Sequence, residues 1–359
     1  MKLSILSTGL AVLAQFVSAA PTPTEGDAIA ERANIAKRAS ITDVATTGFA
    51  TQNGGTKGGA GGATTTVSTL AQFTAAVTND EVARVIVVSG TISGSVKVRV
   101  GSNKTIVGKK GANSTDDFLA LIGIGLYINK STNVIVRNII SQKVLAANGD
   151  AIGIQAAKNV WIDHVFVLQK SRAKIKTNLF PSDVSSDLTH GKDYYDGLID
   201  VTHASDWVTI SNSYIHDHFK ASLIGHSDNN AAEDTGHLTV TQHNNYWSNI
   251  GSRTPSFRFG TGHVFNSYFL NANTGIDTRD GAQILVQSNV FKNVSEPIAA
   301  LYSDDTGYAN AFDNDLGGYA NTAPVGTLTT TSLPYSYSLL GSGNVVAAVV
   351  GSAGATLAL

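Results

Sequence analysis

The sequence predicts an all-β protein folded as a right-handed parallel β-helix. Three observations carry that reading. Short β-branched runs recur through the middle of the chain and overlay on one another without gaps. An Asn-x-(aromatic or Ile) element returns at later steps of roughly 22 to 32 residues, the spacing of solenoid coils. With 35 glycines, 7 prolines, only 14% charged residues and abundant Thr, Asn, Ser and Val, the composition is that of a β-rich chain.

From the N-terminus, Lys2 precedes an apolar stretch, Leu3 to Val17, closed by Ser18, Ala19 and Ala20. This pattern predicts a secretory signal peptide over residues 1–20. Residues 21–38 end in the dibasic pair Lys37-Arg38 and are expected to form a propeptide, so that the mature chain starts near Ala39; an uncut linker is the alternative. No later apolar run approaches the ~20 residues of a membrane helix. A soluble, secreted protein is expected, with residues 39–359 as a single β-helix domain. Without cysteine, disulfide scaffolds, thiol catalysis and cysteine-bound zinc are excluded. A net charge of −2 argues against nucleic acid as a partner. A monomer is the expected state.

Before about Thr66 the chain is Gly-rich (GGTKGGAGG) and is expected to wrap over the first coil. The runs Leu126–Asn138, Ile152–His164 and Asp200–Asn212 each give a strand, a tight polar corner and a second strand opened by Val. Hairpins between consecutive strands, as a sandwich needs, are not indicated. The recurring element stands at Asn138/Ile140, Asn212/Tyr214, Asn244/Tyr246, Asn266/Tyr268 and Asn289/Phe291. Its asparagines are expected to stack as an amide ladder at an inward bend, satisfying buried backbone groups. From about Thr306 the chain is expected to cover the far end. Sequons begin at Asn103, Asn113, Asn129 and Asn293, a permissive signal for glycosylation.

Overlaying Ile152 on Asp200 sets Asn148 level with Asp196 and Asp150 level with Leu198. Period-two alternation then puts Asn148, Asp150, Asp196, Leu198 and Asp200 on one face. Asp150, Asp196 and Asp200 would converge, with no buried basic partner between them. A hard cation resolves such repulsion, and Ca²⁺ takes oxygens from carboxylates, amides and water; a solvated acidic face is the alternative. Lys220, Arg253 and Arg258 follow on later coils, the last two on either side of Pro255. Basic groups facing an acidic metal site form a cradle for an anionic substrate.

On NGDAIGIQ (Asn148–Gln155), NVWIDH (Asn159–His164), the long run Lys192–Asp228 and SRTPSFRFGTGHVFNSYF (Ser252–Phe269), the chain resembles fungal pectate lyases of polysaccharide lyase family one. The resemblance covers nearly everything from Ala39 onward. It implies Ca²⁺ ligation by Asp150, Asp196 and Asp200, with Asn148 where some bacterial members have a further Asp. It also implies substrate carboxylate binding by Lys220 and Arg258, Arg253 as the proton-abstracting base, and pectate (polygalacturonate) as substrate; His164 is expected to be structural. Arginine is protonated up to a pKa above ~12, so an alkaline optimum is expected. A pectin lyase would act on methyl esters without Ca²⁺, a hydrolase would need carboxylates flanking a water, and a glycan-binding β-helix would need no basic groups beside the metal.

One segment departs from the family pattern. Phe166 to Ser182 intervenes after WIDHV with four basic residues, no acidic ones and no repeat. Its length is that of a short intron, Thr177-Asn178 can span a branch point, and Val165 can open with a splice donor. A retained intron is the expected origin, with a genuine loop insertion as the alternative.

Overall fold

Runs such as RVIVV (Arg84–Val88), NVIVR and NVWID bury one side chain in two and leave their backbone groups to pair sideways. Stacked coils satisfy both demands at once. The structure, a computed structural model, describes residues 39–109, 119–169 and 190–359. Its strands form two sheets, one of ten and one of twelve strands, in which all the strand pairings are parallel. This is the predicted parallel β-helix. The ten-stranded sheet runs from Ala63–Val67 to Tyr308–Phe312, each strand hydrogen-bonded to that of the next coil.

The interior is a column of aliphatic and aromatic side chains. In register, Ile215, Trp247, Phe269 and Phe291 point inward, and the Phe269 and Phe291 rings stack at 4.5 Å. On the other face of the same strands Tyr214, Tyr246 and Tyr268 stack at 4.5 and 5.3 Å. Tyr268 is level with Val290, so the Asn289/Phe291 pair is one residue out of the expected register. The corner explains it. Asn138, Asn212, Asn244 and Asn266 sit in the left-handed region, where Ser288 takes their place in the last of these coils. Asn289 occupies the next, inward position with Asn245 and Asn314: each accepts a backbone N–H and donates to a carbonyl on the preceding coil. The inward column therefore reads Asn245, Ser267, Asn289 and Asn314, while of the corner asparagines Asn244 donates its amide to Asn212 at 3.2 Å.

Neither chain end behaves wholly as a cap. The Gly-rich segment runs along the outside of the ten-stranded sheet instead of over the first coil. Phe49 and Ala50 donate to Thr241 and Thr209, Lys57 and Gly58 to Asn133, and Gly59 to Thr105. The glycines allow this close approach, since a Cβ at Gly59 would meet the Arg84 carbonyl. The helix Leu70–Ala76, with Phe73 fully buried, packs against the first coil instead. At the far end Pro324 accepts from Ala309 and covers the last strand, but the chain then returns along the flank. Tyr335 bonds Thr241 and His263, Ser342–Val349 forms a helix over Tyr268 and Val290, and Leu357 reaches Asn138.

The first residues of the segment expected to interrupt the repeat, from Phe166, belong to the repeat instead. Phe166–Leu168 is a strand between Ile140–Gln142 and Tyr214–Lys220, and buried Gln169 accepts from the Val144 N–H. His164, in the left-handed region, stands two residues before Phe166 as Asn138 stands before Ile140. The repeat continues here with His in place of Asn. The rest of the segment lies outside the described residues. Asn113 does as well, as do residues 1–38 with the expected signal peptide and propeptide. Among the described residues no helix is long and apolar enough to cross a membrane.

Candidate active site

The twelve-stranded sheet positions the site. Ile152 pairs with Ile199, not with Asp200, so Gly153 is the residue level with Asp200. The following strands keep the gapless offset, with Val160 level with Val208. The corner between them holds one residue more in the later coil, His203-Ala204-Ser205 against Ala156-Ala157. That added residue shifts the earlier strand by one, and Leu198 turns into the core, away from the face expected for it.

Asp150 and Asp200 nevertheless meet, around Gly197. The Gly197 N–H donates to Asp150 Oδ1 at 3.0 Å, and both Asp200 carboxylate oxygens lie 2.6 Å from where a Cβ on Gly197 would stand. A Cβ on Gly153 would lie 3.0 Å from Asp150 Oδ2. Asp200 Oδ1 also accepts the Leu223 N–H at 2.9 Å. Burial, then the charge of Asp196, pushes the Asp150 carboxyl up to about 6. Asp200 is raised as well, by burial first and then by Asp150.

Asp196, whose charge reaches both carboxyls, is more exposed than this pair. Its side chain is 43% exposed and its Oδ1 is 3.3 Å from Lys220 Nζ, which also bonds Asp193 Oδ1 at 3.1 Å. The carboxylates thus do have a basic partner, and it holds Asp196. Among the described residues no group of three or more His, Asp or Glu forms a ready metal cage. Asn148 donates its amide to Ser95 Oγ at 3.1 Å. His218, lowered to about 4 by burial, is neutral, and its Nε2 bonds the Asp196 carbonyl.

Arg253 lies between the strands Tyr246–Ser252 and Ser256–Arg258, in the left-handed region, before the cis Thr254–Pro255 bond. Its carbonyl accepts from Ser222. Its guanidinium forms no ion pair or hydrogen bond with a described residue, and its charge favours ionised Asp200 and Asp193. Arg258 is held differently. It is buried, its Nε bonded to Asp228 and 3.2 Å from Asp280, and its Nη1 donates to the Gly225 carbonyl. Arg279, level with Arg258 on the next coil, shares Asp228. Asp193, Asp228, Asp280 and Arg279 were not singled out from sequence; the i, i+3 spacing of Asp193 and Asp196 on one loop was the available signal.

His164 sits at the corner just after the strand Lys158–Asp163 of the ten-stranded sheet, with its Nδ1 on Asp163. The buried Asp163 carboxylate also accepts from Arg137 Nε at 2.8 Å, Ser211 and Asn212, and His164 first, then Arg137 and Asn212, hold it well below the usual range despite its burial.

Paired carboxylates, with Lys220 and Arg253 near them, lie on the outward side of the stacked strands of a parallel β-helix. A family model described as pectate lyase matches residues 28–357. The chain is 57% identical over 355 residues to the probable pectate lyase A of Aspergillus fumigatus, with 99% of this chain and 98% of the relative covered. It is 55% identical over 342 residues to pectate lyase A of Aspergillus niger, covering 95% and 94%. Among solved structures, a pectate lyase from Bacillus sp. N165 in complex with trigalacturonate is similar at TM-score 0.70 and 28% identity, over 86% of this chain and 98% of that one. A Bacillus subtilis pectate lyase shares the fold at TM-score 0.74 and 22% identity, over 88% of this chain and 99% of that one. The chain belongs to the pectate lyase family, and it is an enzyme of that class.

Proposed function

We propose that the protein is a secreted, monomeric lyase that cleaves de-esterified galacturonan by Ca²⁺-dependent β-elimination. The observation that carries this reading is the meeting of Asp150 and Asp200 around Gly197, one coil from Lys220 and two from the uncommitted Arg253. Two carboxylates raised by burial and by neighbouring carboxylate charge fit a hard divalent cation, and the space over Gly197 admits the Asp200 oxygens only because no Cβ fills it. Asp150 and Asp200 would hold the ion, with Asp196 joining them in exchange for its contact with Lys220. When bound, the ion supplies positive charge against the substrate carboxylate.

The chain's own residues carry the rest. A galacturonate C5–H lies α to a carboxylate, so its loss builds enolate-like charge on the carboxylate oxygens. Lys220, and the part of Arg258 not taken by Asp228, neutralise that charge. Arg253 in its neutral form accepts the C5 proton, the C5–H electron pair becomes the C4–C5 double bond, and the C4–O bond breaks. The leaving oxygen takes a proton from water, and Arg253 returns its own to solvent. The product is a 4,5-unsaturated oligogalacturonide. Ultraviolet absorbance of that product on polygalacturonate, measured with Ca²⁺ and then with chelator, tests the proposal; absorbance unaffected by chelator, or obtained only on methylated pectin, defeats it.

A further inference from the structure

The outward column that carries Asp200 continues upstream. Arg99, Tyr127, Gly153 and Asp200 are level on successive coils. At about 4.8 Å per coil, Tyr127 stands about 10 Å and Arg99 about 14 Å from Asp200. Lys97 and Arg99 are exposed on either side of buried Val98. Lys97 Nζ lies 5.2 Å from the Tyr127 ring centroid and 3.1 Å from where a Cβ on Gly149 would stand, so it borders the Asp150 loop. Arg99 reaches only the neutral oxygens of Asn129, at 3.3 Å. Neither cation has an ion-pair partner among the described residues. The Tyr127 ring is fixed, its hydroxyl donating to Gln155 at 2.9 Å and accepting from Asn129 at 2.8 Å. Gly153, with no side chain, leaves room between Tyr127 and Asp200 for the Asp150 carboxylate, whose Oδ2 stands 3.0 Å from where a Cβ on Gly153 would be, so the cluster of Lys97, Arg99 and Tyr127 adjoins the Asp150–Asp200 pair directly.

We propose that Lys97, Arg99 and Tyr127 form a further uronate-binding subsite, upstream of the Asp150–Asp200 pair, that grips the polymer beyond the sugars at the reaction centre. The proposal rests on the reading of the groove as a galacturonan site. Each sugar of such a chain carries one carboxylate, and two cations outside any ion pair, one of them held over the fixed Tyr127 ring, match a uronate ring with its charge. A short oligomer bound at Arg253 does not reach Tyr127, whereas a longer one does.

The test compares Lys97→Met/Arg99→Met with the parent chain in two measurements. With Ca²⁺, KM and kcat are determined on polygalacturonate and on trigalacturonate. Calorimetry then follows hexagalacturonate and trigalacturonate binding in an Arg253→Ala background, where the ligand is not consumed. The subsite predicts about a tenfold loss in hexamer affinity and a raised KM on polymer, with trimer values and kcat within about twofold. Equal losses on both lengths, together with altered Ca²⁺ affinity by titration, would make Lys97 a counter-charge for Asp150 and overturn the proposal. No loss on the hexamer would overturn it too. A parent chain that binds hexamer with this Lys97/Arg99 dependence yet forms no unsaturated product would fail the proposed function and leave the subsite standing.

Discussion

Substituting Gly197 by alanine puts one methyl group where the two site carboxylates meet. The new Cβ would stand 2.6 Å from both Asp200 oxygens, whereas ordinary contact begins at 3.4 Å, so a shift of about 0.8 Å is required. The Gly197 backbone is tied to Asp150 and Ala151, so the Asp200 side chain must move. Its bond from Leu223, now 2.9 Å, is then strained or lost. A charge-assisted hydrogen bond contributes about 1.5–3 kcal/mol and overpacking costs about 1–3 kcal/mol. Gly197→Ala should therefore weaken Ca²⁺ binding at least tenfold and, because a ligand misplaced by about 1 Å can cost a hundredfold, lower kcat/KM more steeply. Isothermal titration with Ca²⁺ and initial rates on polygalacturonate read both quantities, and far-ultraviolet circular dichroism checks that the coils persist. Unchanged Ca²⁺ affinity with unchanged rate would refute the placement of the ion over Gly197.

Other consequences follow from the same structure. His243 and His263 are lowered by burial to about 4 and about 3, against about 6.5 in the unfolded chain, so below about pH 6.5 the unfolded state binds protons that the folded state does not. Stability should be full above that pH and fall as pH drops from there toward 4, by up to about 1.4 kcal/mol per pH unit for each histidine. His263→Gln should flatten the acid limb of a urea-midpoint profile, and an unaltered limb would count against the assignment. Phe269→Ala should destabilise the coil stack by about 3–5 kcal/mol in the same assay, and a loss under 1 kcal/mol would contradict the inward stack. Arg253→Lys should lower kcat far more than KM and shift the alkaline rise of the rate; a parent enzyme with full activity near pH 5 would rule out an arginine base. Transcript sequencing decides the origin of Phe166–Ser182: a retained intron predicts a main message without those codons, and a message that keeps them makes the segment a genuine insertion.

The solenoid was legible because its signal is repeated: β-branched runs and corner residues recur wherever a coil turns. What the repeat cannot carry is a one-residue difference between coils. Ser205 and its two neighbours fill a corner that two alanines fill one coil earlier, and a gapless overlay passes that difference into the strand before it, as it did for Ile152 and Asp200. The same ambiguity separated Asn289 from the corner asparagines, since amides suit both the left-handed corner and the inward ladder. At the site, Asp150, Asp200, Lys220 and Arg253 were readable from charge and motif. The company of Arg258 was not, because Asp228 and Asp280 come from separate loops that only the fold brings to one guanidinium. The path of both chain ends along the flank depends on single hydroxyl and amide contacts such as Thr241 and Asn133, which leave no pattern in sequence.

The most direct measurement of the central claim is unsaturated-product absorbance on polygalacturonate by the parent chain and by Asp200→Asn, each with Ca²⁺ and with chelator. The account predicts a steady rise for the parent with Ca²⁺, its loss on chelation and its return on Ca²⁺ addition, and little rise for the variant under any condition. A parent rate that survives chelation, or a variant as active as the parent, would contradict it.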